Sequence, residues 1–332
     1  MPPQPLTSLT LITVPYHVGL RASPIHRTRI SEGPDYLKSG SDGGGLLSLL
    51  RNQLPKLPVH ELEIPPVQDD FEGEIGRTFE LIRRVALAVT AARDATSFPI
   101  VLAGNCCISV GVVAGLSGSV GGLLGDGGED GLGLGCVWFD AHDDYQVPDS
   151  MATGYFDSQG IAMMAGECWG GLMATVPGFR PWLLRRVVHC GIRDVNEVER
   201  ARGEGSGMGV VWGDAERRVD FAAGLRKELG ERFGGEGGET PMLAHLDVDV
   251  FDASLGKANP FACAGGLFGE DITGCMAAIS ERTIPMSLTI ASFDPLCDGD
   301  ESAQPLAKLS IKAVEGVLDG LRRQGLFQSN KQ

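Results

Sequence analysis

Cys136-Val137-Trp138-Phe139-Asp140-Ala141-His142-Asp143-Asp144 is an apolar run that ends abruptly in a polar cluster. An apolar stretch with no charge in it reads as a strand covered on both faces, because a strand wet on one side alternates polar and apolar residues. The carboxylates and the imidazole then fall at the strand's carboxyl end. In extended chain, alternate side chains share a side, so Asp140, His142 and Asp144 point together. Two further apolar runs end in the same way. Pro99–Ala103 leads into Gly104-Asn105-Cys106-Cys107, and Met242–Leu246 leads into Asp247-Val248-Asp249. In an open parallel sheet, groups beyond the carboxyl ends of neighbouring strands converge on one crevice.

Working outward, Leu9–Pro15, Arg186–Gly191 and Met286–Ala291 read as further strands. Glu74–Arg93, Val219–Glu231, Glu270–Ser280 and Leu306–Arg323 read as helices. In the last, Leu306, Leu309, Ala313, Val314, Val317, Leu318 and Leu321 recur at helical spacing and form a core stripe. Strands alternating with helices imply an α/β fold, a three-layer αβα sandwich with a central, mostly parallel sheet. No interdomain linker or repeat is visible, so residues 1–332 are expected to form one domain. Ser117–Gly135 is about half glycine, and Gly203–Gly209 and Gly234–Gly238 are smaller versions. None ends in the Gly-Lys-Ser/Thr of a phosphate loop. The stretch 117–135 is expected to be a surface insertion.

Composition narrows the function. The net charge of −15 argues against a nucleic-acid partner, which needs a basic footprint. There is no run of about 18 apolar residues to span a membrane. Met1–Gly19 has no basic segment followed by a long apolar run, so a cytoplasmic location is expected. Eight cysteines spread over this length are not a disulfide framework, and reduced thiols are expected. Cys136, Cys190 and Cys275 sit in apolar surroundings and read as small buried hydrophobes.

A single aspartate at a strand end is ordinarily a cap or turn residue. The joint pattern of Asp-Ala-His-Asp-Asp and His-Leu-Asp-Val-Asp-Val-Phe-Asp after two buried strands needs another cause. So many carboxylates in one crevice resist ionisation unless cations neutralise them. Oxygen donors with one imidazole suit Mn²⁺, Zn²⁺, Fe²⁺ or Co²⁺. Shared aspartates commonly hold two such ions about 3.5–4 Å apart.

These residues resemble the arginase, agmatinase and formiminoglutamase superfamily. The resemblance starts at Leu9–Pro15 and Gly33-Pro34. It continues through Ala103-Gly104-Asn105-Cys106, Trp138–Asp144, Gly191-Ile192-Arg193-Asp194, Asp247–Asp252 and Gly265-Gly266-Leu267, and ends at Ser292-Phe293-Asp294-Pro295. It implies two divalent ions, typically Mn²⁺, that activate water toward a guanidinium carbon. By position, Asp140 and Asp247 would bridge both ions, His142 and Asp249 would complete one site, and Asp144 and Cys106 the other. It also implies a small-molecule substrate and a homo-oligomer.

The sequence departs from the family pattern where specificity is set. The family's Gly-Gly-Asp-His reads Ala103-Gly104-Asn105-Cys106 here, and a thiolate leans toward Zn²⁺ or Fe²⁺. Asp157 stands where the family places a proton-transfer histidine, so Asp157, His142 and Asp144 are the expected catalytic set. Ser292 stands where guanidine hydrolases hold the guanidinium with a glutamate. Gln146 and Asn196 replace an asparagine and an aspartate that bind the amino-acid end, and His17 is a candidate for the pocket wall. His245 is expected to be structural, nearer the strand interior, as are His26, His60 and His189. The expected function is metal-dependent hydrolysis of a C–N or other carbonyl-type bond, and not of arginine. The alternatives are a biosynthetic condensation or cleavage at the same site, with or without metal, and a pseudoenzyme holding one ion or none.

Overall fold

Eight strands join one sheet in the computed structural model, which describes residues 5–18, 28–41, 43–67, 73–118, 133–150, 155–234 and 240–327. They are β1 Ser8–Val14, β2 Val59–Glu63, β3 Ser97–Ala103, β4 Gly135–Phe139, β5 Val187–Cys190, β6 Gly209–Val211, β7 Pro241–Asp247 and β8 Ile284–Ala291. The order across the sheet is β2-β1-β3-β8-β7-β4-β5-β6, and all the pairings are parallel. Every residue of β1, β3, β4 and β5 is buried, as a sheet covered on both faces requires.

The helices in chain order are α1 Gly33–Ser39, α2 Leu46–Gln53, α3 Gly73–Asp94, α4 Ser109–Gly118, α5 Gly160–Ala165, α6 Gly170–Met173, α7 Glu197–Gly205, α8 Phe221–Phe233, α9 Gly269–Arg282 and α10 Asp300–Arg323. Alternation along the strands feeds two cores. Val137 and Phe139 of β4 and Met242, Ala244 and Leu246 of β7 pack with α8, α9 and α10. Cys136, Trp138 and Leu243 pack on the other face with α3 and α4. This is the αβα sandwich that the strand pattern implied.

The six expected strands and four expected helices are present, most with ends shifted by a residue or two. α10 starts six residues before Leu306, at Asp300. β2 and β6 were not foreseen. They are the edges of the sheet, where β2 leaves four of its five residues exposed and β6 is three residues long, so neither carries a buried-strand signature. α4 was also unforeseen: Ser109–Leu116 are all buried, and a helix covered all round has no amphipathic stripe to read. Of the expected glycine-rich insertion, Ser117 and Gly118 finish α4 and Gly135 opens β4, while 119–132 lie outside the described residues, as do 235–239.

All eight cysteines are free thiols, with Cys136, Cys190 and Cys275 fully buried. Among the described residues, no helix is long and apolar enough to cross a membrane. The strand order matters most for the site. β3, β8, β7 and β4 are consecutive neighbours, so the segments after their carboxyl ends meet. Those segments carry Cys106, Ser292, Asp247 with Asp249, and Asp140 with His142.

Candidate metal centre

Asp140 and Asp247 are each aimed by a backbone amide two residues on, and Asp249 by groups from other segments. Asp140 Oδ1 accepts from His142 N at 2.8 Å, and Oδ2 accepts from the Trp138 indole at 3.1 Å. Asp247 Oδ1 accepts from Asp249 N at 2.8 Å, and Oδ2 accepts from Cys106 Sγ at 2.9 Å. Asp249 accepts from Ala141 N at 3.3 Å and from Asn259 Nδ2 at 2.9 Å. His142 Nδ1 lies 3.3 Å from Asp140 Oδ1 and 3.4 Å from Asp249 Oδ2. Asp144 turns inward from a left-handed backbone, φ 43°. Its Oδ2 is buried with no hydrogen-bond partner.

Two overlapping groups of donor atoms lie within 4.8 Å of one another: Asp140, His142 and Asp249, and Cys106, Asp140 and His245. The centre opens onto a cavity of about 330 Å³. Its lining includes Cys106, His142, Asp144, Asp157, Asp247, Asp249 and Ser292, with Asp143, Asp194 and Glu199, and contains no lysine or arginine among the described residues.

The electrostatics follow from burial and like charge. Burial, with the charge of Asp249, pushes Asp140 up to about 6. Burial and neighbouring aspartates hold Asp144 and Asp247 well above the carboxylate range. Burial also acts against Asp249, but His142 and Asn259 outweigh it and hold that carboxyl low. For His142, burial disfavours the cation, yet Asp249, Asp140 and Asp194 prevail and its pKa stands well above normal. Buried acids that repel one another, a carboxylate oxygen with no donor, and an O/N/S ligand set all fit divalent cations. Asp140, His142 and Asp249 could hold an ion at a hard position, and Cys106 could lend an adjacent one a softer donor.

The other expected residues divide. Asp157 lies in the turn Phe156–Gln159, 3% exposed, with Oδ1 accepting from Cys107 N at 2.9 Å. Gln146 lines the cavity, its Nε2 donating to Asp143 Oδ2 at 2.8 Å and its Oε1 accepting from Ser150. Ser292 has a left-handed backbone, φ 61°, and its Oγ is 3.2 Å from Cys106 Sγ.

His17 stands one residue back, with Nε2 3.2 Å from the hydroxyl of Tyr155, which lines the cavity. Asn196 is exposed and caps α7, accepting from Val198 N and Glu199 N. Asp194 and Glu199, on either side of it, reach the cavity instead. His189 is buried with both ring nitrogens unpartnered, and burial pushes it down to about 3. His60 is exposed on β2, and His26 lies outside the described residues.

Sequence reasoning did not single out Asn259, Tyr155 or Phe261. Asn259 ties Asp249 to the Ser292 carbonyl, at 2.9 and 3.0 Å, and Tyr155 and Phe261 pack ring to ring at 5.7 Å on the cavity wall. No motif marks them; each arrives by way of a loop.

An all-parallel sheet between helices, with clustered aspartates and an imidazole at its carboxyl edge, defines the architecture of the ureohydrolases. The chain belongs to the arginase family, whose pattern matches residues 8–314. It is 26% identical over 269 residues to arginase-1 of Xenopus laevis, covering 76% of this chain and 78% of that one. It superposes on the crystal structure of Bacillus subtilis arginase with a TM-score of 0.75 at 21% identity, over 94% of this chain and 98% of the other. Formimidoylglutamase of Bacillus subtilis gives 0.67 at 15% identity, over 96% and 89%.

Proposed function

We propose that the protein is a metal-dependent hydrolase that cleaves a C–N or other carbonyl-type bond of a small molecule, and that arginine is not its substrate. The observation that carries this reading is the buried acidic centre combined with a neutral Ser292 hydroxyl on the cavity wall. Asp140 and Asp247 would be shared between two ions, with His142 and Asp249 completing one position and Asp144 and Cys106 the other. Mn²⁺ suits the oxygen-rich position, and the thiol admits Zn²⁺ or Fe²⁺. When bound, such ions polarise a carbonyl and lower the pKa of water toward about 7.

The chain's own groups supply the rest. Asp157, whose Oδ1 accepts from the Cys107 amide, would take and return a proton. Gln146, braced by Asp143 and Ser150, presents an amide to the polar end of a substrate. Tyr155 and Phe261, packed ring to ring on the cavity wall, would offer apolar surface to the substrate. A guanidinium demands a charge-assisted partner. At Ser292 it would meet a hydroxyl already engaged with Cys106.

The test is metal content of protein purified without chelator, followed by assay with arginine and agmatine. Bound metal with no urea release is expected. Absence of metal overturns the hydrolase reading, and robust urea release overturns the exclusion of arginine.

A further inference from the structure

The group Cys106, Asp140 and His245 contains a donor that the assignment above leaves unused. His245 is fully buried in β7, two residues before Asp247. Strand alternation therefore puts His245 and Asp247 on one side, and on β4 it does the same for Trp138 and Asp140. The register sets Trp138 against His245.

Three contacts hold the imidazole. Its ring stacks on Trp138, centroids 3.6 Å apart at 22°. Its Nδ1 lies 2.8 Å from Ser109 Oγ. Its Nε2 lies 3.2 Å from Cys106 Sγ. A ligating histidine characteristically gives its other ring N–H to an oxygen, which fixes the tautomer and the ring plane. With Nδ1–H donating to Ser109, the Nε2 lone pair faces Cys106. The same Trp138 donates its indole N–H to Asp140, so one side chain positions two of the three donors.

We propose that His245 is a metal ligand, joining Cys106 and Asp140 in a thiolate–imidazole–carboxylate site suited to Zn²⁺ or Co²⁺. This deepens the metal-dependent reading and rests on it. Asp247 Oδ2, 2.9 Å from Cys106 Sγ, is the fourth donor at hand. Tetrahedral coordination at bond lengths of 2.0–2.3 Å needs donors roughly 3.3–3.8 Å apart. Both pairs include the sulfur, for which bonds of about 2.3 and 2.0 Å put the donors about 3.5 Å apart; the 3.2 and 2.9 Å separations are shorter than that, and side-chain rotations open them.

The other use of a Cys–His pair, a nucleophilic thiol, is opposed by the surroundings. Burial and the charges of Asp247, Asp144, Asp157 and Asp140 all act against a bare thiolate at Cys106. A cation among those carboxylates reverses the balance.

The experiment titrates chelator-treated full-length protein with Co²⁺ and follows the sulfur-to-cobalt charge-transfer band and the tetrahedral d–d bands. The wild type should show both. Cys106→Ser should lose the charge-transfer band. His245→Gln, checked for folding by circular dichroism, should keep a weakened band and bind that ion at least about tenfold less tightly. Cys106→His combined with His245→Gln should lose the band and bind no more tightly than His245→Gln, since a nitrogen replaces the sulfur while the His245 nitrogen stays missing; recovery of wild-type affinity there, the result a merely structural His245 would give, overturns the proposal.

Wild-type affinity and spectrum in folded His245→Gln overturn the proposal. So does a Co²⁺ complex with no charge-transfer band, and the dinuclear hydrolase reading survives that result if ions still bind at Asp140, His142 and Asp249. A His245-dependent thiolate site in a protein with no hydrolytic activity supports the proposal and removes the hydrolase reading. Should the glutamine variants fail to fold, cadmium-113 NMR of wild type carrying nitrogen-15 histidine decides. Coupling of a sulfur-shifted cadmium to a histidine nitrogen supports the site, and its absence overturns it.

Discussion

Asp143→Asn should stabilise the metal-free protein near neutral pH and do little in acid. Asp143 is 4% exposed, beside the cluster but outside the proposed ligand set. Burial, with Glu199 and Asp140, pushes it from 3.8 up to about 6, while the Tyr145 amide and Gln146 hold it back. For an acid so raised, the unfolded chain ionises first. Folding therefore carries no penalty below about pH 4, and a growing one as pH rises toward 6. The gap from 3.8 to about 6 corresponds to about 3 kcal/mol at 1.36 kcal/mol per pH unit.

An asparagine removes that penalty but turns its amide toward Gln146 Nε2, now 2.8 Å away. The lost hydrogen bond costs about 1 kcal/mol. The variant should be more stable by about 2 kcal/mol near pH 7.5, and about equal to wild type near pH 4.5. Urea denaturation of both chelator-treated proteins at the two pH values measures it. A difference that does not change with pH, or that grows more unfavourable toward pH 7.5, refutes the account of the cluster as self-repelling acids.

Two further outcomes follow from the geometry. Asp140→Asn and Asp247→Asn should each abolish metal binding measured by calorimetry, since either change withdraws charge from both proposed ion positions; full metal content and activity in either variant would disprove the shared roles. Gly104→Ala should destabilise by about 3 kcal/mol in thermal or urea unfolding, because a Cβ there would lie 2.2 Å from the Tyr16 carbonyl oxygen and push the Cys106 segment off its strand; a change under about 0.5 kcal/mol, the range of an ordinary surface substitution, would show that this loop yields freely.

The strands nearest the chemistry were legible in the sequence. Burial on both faces leaves an apolar run in β3 and β4, and in β7 one interrupted only by His245, and the polar break after each run marks the carboxyl edge. The edge strand β2 wrote no such pattern, because most of its side chains meet water. The all-buried α4 wrote none, because no face of it is polar. Within the site, Asp140, His142, Asp247 and Asp249 were readable because they follow directly on buried strands, although the chain there turns rather than staying extended: Val248–Val250 is a 3-10 turn and Asp144 has a left-handed backbone.

Asn196 shows the opposite case. The family resemblance suggested that it binds substrate in the pocket, but its side-chain oxygen caps α7. Position along the chain does not say which local amides compete for that oxygen.

By itself, the sequence determined the layered parallel architecture and the set of acidic groups at one end of it, since both follow from local periodicity and its interruption. Only the tertiary structure decided what those groups meet. The order β3-β8-β7-β4 sets Cys106 against Ser292 and His245, residues separated from it by more than a hundred positions. Such contacts depend on which strands become neighbours, and that is set by packing helices on two faces of the sheet rather than by any pattern within a single strand.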